Sequence, residues 1–185
     1  MTYNQPLSNY IYRCSGGAKN EILDRVVYYF DNEEDWKQST FSSSLGKTGT
    51  QKVQMDEMWI APKTRSYDYF KSILLKAVKE YQQKFPFCQV QTNTAFRMNR
   101  YGTGGFMKNH VDSIHHSHGQ KFGYPHITSL LFLNSKFKGG NFNLCGESFE
   151  MEQGEILIFP SNFMFPHSVE KVTSGKRFTL MGWWM

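Results

Sequence analysis

The run Ile127–Leu133 is mostly apolar, and it reads as a strand buried in a sheet. Shorter strands surround it. Ala95–Tyr101 alternates, with Phe96, Met98 and Arg100 on one face and Arg97, Asn99 and Tyr101 on the other. Gly139-Gly140, Gly146-Glu147 and Gln153-Gly154 separate strands at Asn141–Leu144, Ser148–Met151 and Glu155–Phe159, and Phe178–Trp184 is the last. The first half has a different period. Asn20–Phe30 carries Ile22, Leu23, Val26, Val27 and Phe30 at helical spacing. Ser66–Lys84 is the clearest helix: Ser66 can cap it, Phe70, Ile73, Leu74, Ala77 and Tyr81 share one face, and Pro86 ends it. Val53–Ile60 reads as a strand, residues 1–18 as a polar segment ending in a loop, and residues 31–49 as a mobile surface segment. Helices first and strands after imply an α+β chain with a β-sandwich or barrel core and N-terminal helices packed on one sheet. A jelly roll is favoured over a barrel because it limits exposed edges. Residues 1–185 are expected to form a single domain, with 1–90 as helix-rich support and 91–185 as the catalytic core.

Composition narrows the classes. Aromatic residues make up 16%, enough for a core or pocket lined by rings. The net charge of +5 comes from scattered Lys and Arg with no long like-charged run, which suits a soluble surface better than a nucleic-acid-binding arm. Cys14, Cys88 and Cys145 are odd in number and lack CxxC spacing, so reduced thiols in the cytoplasm are expected rather than a disulfide framework. No run of eighteen apolar residues occurs, so no membrane span or secretory leader is expected.

His110-Val111-Asp112 is the first feature that carries chemistry. On extended backbone, residues i and i+2 point to the same side, so one imidazole and one carboxylate can chelate one ion. A distant His would complete the set, and His167, after the strand end Phe159-Pro160, is the candidate. Two His and one carboxylate form a facial triad with three open positions, typical of non-haem Fe(II) oxygenases. Taken alone, the same residues are also compatible with ordinary histidines and a turn aspartate. Arg177 shifts the balance. It begins an apolar strand, and a guanidinium led into a core needs an anion; its fork suits a carboxylate. A protein carboxylate is the other possible partner. Thr179, two residues on, faces the same side and offers a hydroxyl.

Several motifs then line up. Arg100-Tyr101-Gly102-Thr103-Gly104 precedes His110-Val111-Asp112, and Thr128–Asn134 is followed by Gly139-Gly140. Gly154–Pro160 precedes His167-Ser168-Val169, Val172–Arg177 and Trp183. Together these resemble the prolyl 4-hydroxylase-like branch of the 2-oxoglutarate/Fe(II) dioxygenases, from about Ala95 to Trp184. The resemblance implies a double-stranded β-helix, with His110, Asp112 and His167 on iron. It implies Arg177 on the C5 carboxylate of 2-oxoglutarate, with Tyr101 and Thr128 as hydrogen-bonding neighbours. Two positions depart from the family: Met107 stands where a Tyr is frequent, and Pro125 where an Arg is frequent.

The activity implied is hydroxylation of a substrate C–H, a peptidyl prolyl residue first. It would use Fe(II), O2 and 2-oxoglutarate, yield succinate and CO2, and take ascorbate as a possible reductant. A protein or peptide is the expected partner. Alternatives are an AlkB-type nucleic-acid demethylase, suggested by Asn99-x-Tyr101-x-x-Gly104, a metal-holding jelly-roll module without catalysis, and a zinc hydrolase. The AlkB type carries a second Arg six residues after the first, where this chain has Trp183. His115, His116 and His118 read as a solvated lid, His126 as a possible neighbour of the metal ligands, and Asp31–Asp35 as solvent-facing. Phe163-Met164-Phe165 reads either as a substrate-contacting loop or as core. Residues 31–60 and 113–125 are expected to form the loops that choose the substrate.

Overall fold

Alternating side chains on a few long strands decide the architecture. The computed structural model describes residues 6–42, 48–49, 52–113 and 124–185. In chain order the first half holds β1 (Tyr12–Ser15), α1 (Asn20–Asp31), β2 (Lys37–Gln38), β3 (Phe41–Ser42), β4 (Thr48–Gly49), β5 (Val53–Gln54), β6 (Asp56–Ile60) and α2 (Arg65–Lys84). The second half holds β7 (Phe96–Tyr101), β8 (Phe106–His110), β9 (Ile127–Phe132), β10 (Phe137–Gly139), β11 (Phe142–Leu144) and β12 (Glu147–Phe149). It ends with β13 (Glu155–Pro160), β14 (His167–Val169), β15 (Val172–Gly175) and β16 (Arg177–Trp184).

A seven-stranded sheet runs β1-β13-β9-β16-β7-β6-β2, and a five-stranded sheet runs β12-β11-β14-β8-β5. Every pairing is antiparallel. The two sheets pack face to face as the double-stranded β-helix. Leu130, Phe132, Leu157, Phe159, Met181 and Trp183 of the larger sheet meet Met107, Phe142, Leu144 and Val169 of the smaller. The opposite face of the larger sheet carries Phe96, Met98, Ile127, Leu131, Ile156, Ile158, Phe178 and Leu180. It is covered by Phe70, Leu74, Ala77 and Tyr81 of α2 and by Leu23 and Phe30 of α1. Ile127–Leu133 is nearly continuous in apolar residues because its strand is buried on both faces. Gly182 marks the tightest approach there: a Cβ would lie 2.8 Å from the Phe96 ring.

Four details differ from the sequence expectation. The cap of α2 is Thr64, whose Oγ1 accepts from the Tyr67 amide at 3.2 Å, so the helix starts one residue ahead of Ser66. Thr64→Ala should lower stability by about 1 kcal/mol in urea unfolding. Tyr12–Ser15 is not loop but the edge strand β1, paired with β13. Its polar sequence fits an edge, where only one side is bonded. The described part of residues 31–49 is ordered: β2 pairs with β6, and Trp36 packs edge-on to Phe178 with rings 6.1 Å apart. Asp31 is likewise not merely solvent-facing, because it pairs with Arg100 at 3.1 Å and Lys176 at 2.8 Å. Both partners are distant in sequence, so no local pattern signals them.

Candidate metal centre

The smaller sheet brings the two histidines together. His110 ends β8, His167 begins β14, and the two residues face each other across that strand pair. Their ring centroids are 4.2 Å apart. Asp112 follows β8 in a bend held by Ser113, whose amide donates to the Ser161 carbonyl at 2.9 Å. Ser113 Oγ also donates to the Pro125 carbonyl at 3.1 Å. Asp112 Oδ1 thereby lies 3.8 Å from His110 Nε2 and 3.6 Å from His167 Nε2.

Neighbouring groups fix the orientation of each donor. The Nδ1 atoms of His110 and His167 face the carbonyls of Lys108 at 2.9 Å and Phe165 at 3.1 Å, each two residues back. Donation there leaves both Nε2 lone pairs aimed at one point. Asp112 Oδ2 accepts from Thr128 Oγ1 at 2.6 Å, and Thr128 Oγ1 lies 2.9 Å from Ser161 Oγ. Burial alone would push the Asp112 carboxyl up, but the facing His167 and His110 and the hydrogen bond from Thr128 outweigh it and hold it below the usual carboxylate range. Burial, helped by His167, pulls His110 down to about 3, so its imidazole is neutral at ordinary pH. Two imidazole nitrogens and one carboxylate are a donor set for a divalent ion. Ligand atoms roughly 2.1 Å from a shared ion sit about 3 Å apart on one octahedral face, so this set closes on a metal with small side-chain shifts. Among the described residues, these three alone form such a cluster.

The same small cavity holds a buried cation. Arg177 is 1% exposed, and its Nε and Nη2 have no hydrogen-bond partner among the described residues. Its guanidinium carbon lies 5.2 Å from the ring centres of both Tyr101 and Phe132. Burial lowers it to about 10, so it remains charged at neutral pH. A buried cation flanked by rings rather than carboxylates calls for an anion from outside the chain. The turn that admits it is tight: Gly140 has φ +67°, and a Cβ there would lie 3.0 Å from Arg177 Cδ.

The other expected residues fall as follows. Tyr101, Thr128 and Thr179 line this cavity with His110, His167 and Arg177. The Tyr101 hydroxyl meets the thioether of Met107 at 3.8 Å, and Thr179 Oγ1 accepts from Asn99 Nδ2 at 3.3 Å. The geometry places the Thr128 hydroxyl on Asp112. Thr128→Val should therefore weaken divalent-ion binding by about 10- to 100-fold, measured by anaerobic titration calorimetry. His126 is exposed and is not one of the three clustered donors. Phe163 and Met164 are exposed, whereas Phe165 is core. His115, His116, His118 and Lys121 lie outside the described residues.

Arg97, Asn99 and Ser161 also reach the site, of which the sequence had offered only Asn99, and that for the AlkB-type pattern. A signal existed for the first two, because they share the inward phase of Tyr101 on β7. Ser161 carried none; its contact with Thr128 spans 33 residues.

The sequence profile described as "2OG-Fe(II) oxygenase superfamily" matches residues 96–185, the stretch that holds all three metal-facing residues and Arg177. Residues 96–185 belong to this superfamily. The His-Asp-His set and the buried Arg177 fit the 2-oxoglutarate and Fe(II) that this description names. A PKHD-type hydroxylase of Rippkaea orientalis is 36% identical over 177 residues, covering 92% of this chain. The chain spans 64% of that relative's length. The fold is that of solved prolyl hydroxylases. A prolyl-4-hydroxylase of Pseudomonas putida superposes with a TM-score of 0.73 at 16% identity, covering 95% of this chain and 91% of its own. The prolyl hydroxylase of Trichoplax adhaerens, solved with a hypoxia inducible factor peptide fragment, gives 0.77 at 14% identity, covering 96% and 84%. No described helix of the oxygenase is long and apolar enough to cross a membrane.

Proposed function

We propose that this chain is a hydroxylase that couples conversion of 2-oxoglutarate to succinate and CO2 with hydroxylation of a peptidyl C–H, a prolyl residue first. The observation that carries this reading is one cavity in which a His-Asp-His donor set and a buried, unneutralised guanidinium converge. His110, Asp112 and His167 would hold Fe(II). Bound there, iron and cosubstrate supply the oxidising chemistry. Arg177 holds the distal carboxylate through its two unmet donors, while Tyr101 and Thr179 flank it with hydroxyls. Thr128 and Ser161 orient Asp112. Leu130, Phe142, Val169 and Met181 line the same cavity and keep water from the reacting atoms. The Trichoplax prolyl hydroxylase, solved with a peptide fragment, supports a peptide substrate over a nucleic acid. The reading includes one domain over residues 1–185, since β1, β2 and β6 from the first ninety residues complete the catalytic sheet.

The test supplies Fe(II), 2-oxoglutarate, O2 and ascorbate with a panel of prolyl peptides. Succinate and a gain of one oxygen on the peptide are expected. Formaldehyde from a methylated oligonucleotide would move the assignment to demethylation. Hydrolysis with Zn(II), and no succinate with Fe(II), would end the oxygenase reading.

A further inference from the structure

A second guanidinium enters the same cavity, and neither the metal nor the cosubstrate reading uses it. Arg97 projects inward from β7 in phase with Asn99 and Tyr101, and lies opposite Met181. It is 8% exposed. Its guanidinium carbon sits 5.2 Å from the Trp183 ring centre and 5.9 Å from that of Trp59, and the two rings are 5.9 Å apart, so both indoles wall one side of it. Its hydrogen bonding is poor. Nε has no partner among the described residues, and Nη2 reaches the thioether of Met181 at 3.4 Å, a weak acceptor. Nη1 lies 3.5 Å from Glu57 Oε2, but Glu57 already accepts from Ser39 Oγ at 2.7 Å and from Trp59 Nε1 at 3.3 Å. Glu57 therefore pairs with Arg97 through Nη1 alone and leaves the other nitrogens poorly matched.

Position along the strand separates the two cations. Arg177 pairs with Tyr101, four residues from Arg97 on β7, a run of about 13 Å. Arg177 is the shielded end of the cavity. Arg97 is the open end, because Trp59 against it is 43% exposed. Asn99 lies between them and carries an unmet Oδ1.

We propose that Arg97, lying against Trp59 and Trp183 at the cavity mouth, is the substrate-docking residue, receiving a planar oxygen acceptor of the peptide main chain beside the hydroxylated residue. This rests on the peptidyl-hydroxylase reading. The fork of Arg97 suits a carbonyl or a carboxylate, and the two indoles hold it so that little freedom is lost on contact. Trp59, at the rim, offers a flat apolar wall to the substrate ring.

The test uses N-acetylated prolyl tripeptides, each made with an amidated and a free C-terminus. Two quantities are measured in wild type, Arg97→Ala, Arg97→Lys and Trp59→Leu. One is the half-saturating concentration of peptide and of 2-oxoglutarate in turnover. The other is peptide binding followed by tryptophan fluorescence in the anaerobic Fe(II)–2-oxoglutarate complex. Arg97→Ala should raise the half-saturating peptide concentration about tenfold or more, with a much smaller change for 2-oxoglutarate. Arg97→Lys should recover part of the loss. Should Arg97→Ala fold poorly, Trp59→Leu, which removes a partly exposed ring, should shift the peptide term in the same direction. Loss shared by amidated and free-acid peptides assigns a carbonyl; loss confined to free acids assigns a carboxylate. Peptide binding unchanged in Arg97→Ala, or 2-oxoglutarate weakened as much as peptide, overturns the docking role. Succinate formation by a wild-type protein that binds none of the peptides overturns it too, while leaving the oxygenase assignment standing. No succinate at all means that the oxygenase assignment itself has failed.

Discussion

His167→Ala leaves no detectable succinate formation and lowers Fe(II) affinity by several orders of magnitude. The imidazole is one of three donors, and its Nε2 lies 3.6 Å from Asp112 Oδ1, the oxygen that would share the ion. Removing it leaves one imidazole and one carboxylate, too few donors to hold the ion against water. The ring also packs between Phe142 and Phe159, with centroids 5.6 and 5.0 Å away. A void forms there, so folding must be checked by near-ultraviolet dichroism and urea unfolding. His167→Gln fills more of that volume and should restore stability without restoring turnover. Full activity in either folded variant would show that the ion is held elsewhere.

Arg177→Ala raises the half-saturating 2-oxoglutarate concentration about 10²-fold or more, the equivalent of ~3 kcal/mol for losing one side of a buried charge pair. Iron binding in the absence of 2-oxoglutarate should change much less, because the donor set does not include Arg177. A second measurement separates ligand binding from mere structural support. The guanidinium is buried with two nitrogens unbonded and no carboxylate against it among the described residues, so it is a burden on the free protein. Arg177→Met should make the ligand-free protein more stable by about 1–2 kcal/mol and abolish the rise in melting temperature on adding Fe(II) and 2-oxoglutarate under argon. If Arg177→Met instead destabilised the free protein, the side chain would be a structural ion-pair member and its carboxylate partner would lie within the chain. A normal 2-oxoglutarate requirement in Arg177→Ala would remove the cosubstrate role outright.

The sequence by itself determined the strand-rich second half, the phase of its strands and the chemistry of His110-Val111-Asp112. These are local properties: a period of two fixes which residues share a face, and spacing of i and i+2 fixes a chelating pair. The phase of Ala95–Tyr101 put Arg97, Asn99 and Tyr101 on one side, and all three line the cavity. His167 and Arg177 were recognisable from their places in strand-end motifs. Other features depend on contacts between segments far apart in sequence, which no local period encodes. Thr128 takes the Asp112 carboxylate because β9 passes beneath the end of β8, across 16 residues, and Ser161 reaches Thr128 across 33. Asp31 is tied to Arg100 and Lys176 only once α1 lies on the larger sheet, and Tyr12–Ser15 becomes a strand only because β13 offers it an edge. Above all, tertiary packing decided that Arg177 and Arg97 are both buried without full partners, since burial and neutralisation belong to the assembled sandwich and not to the chain.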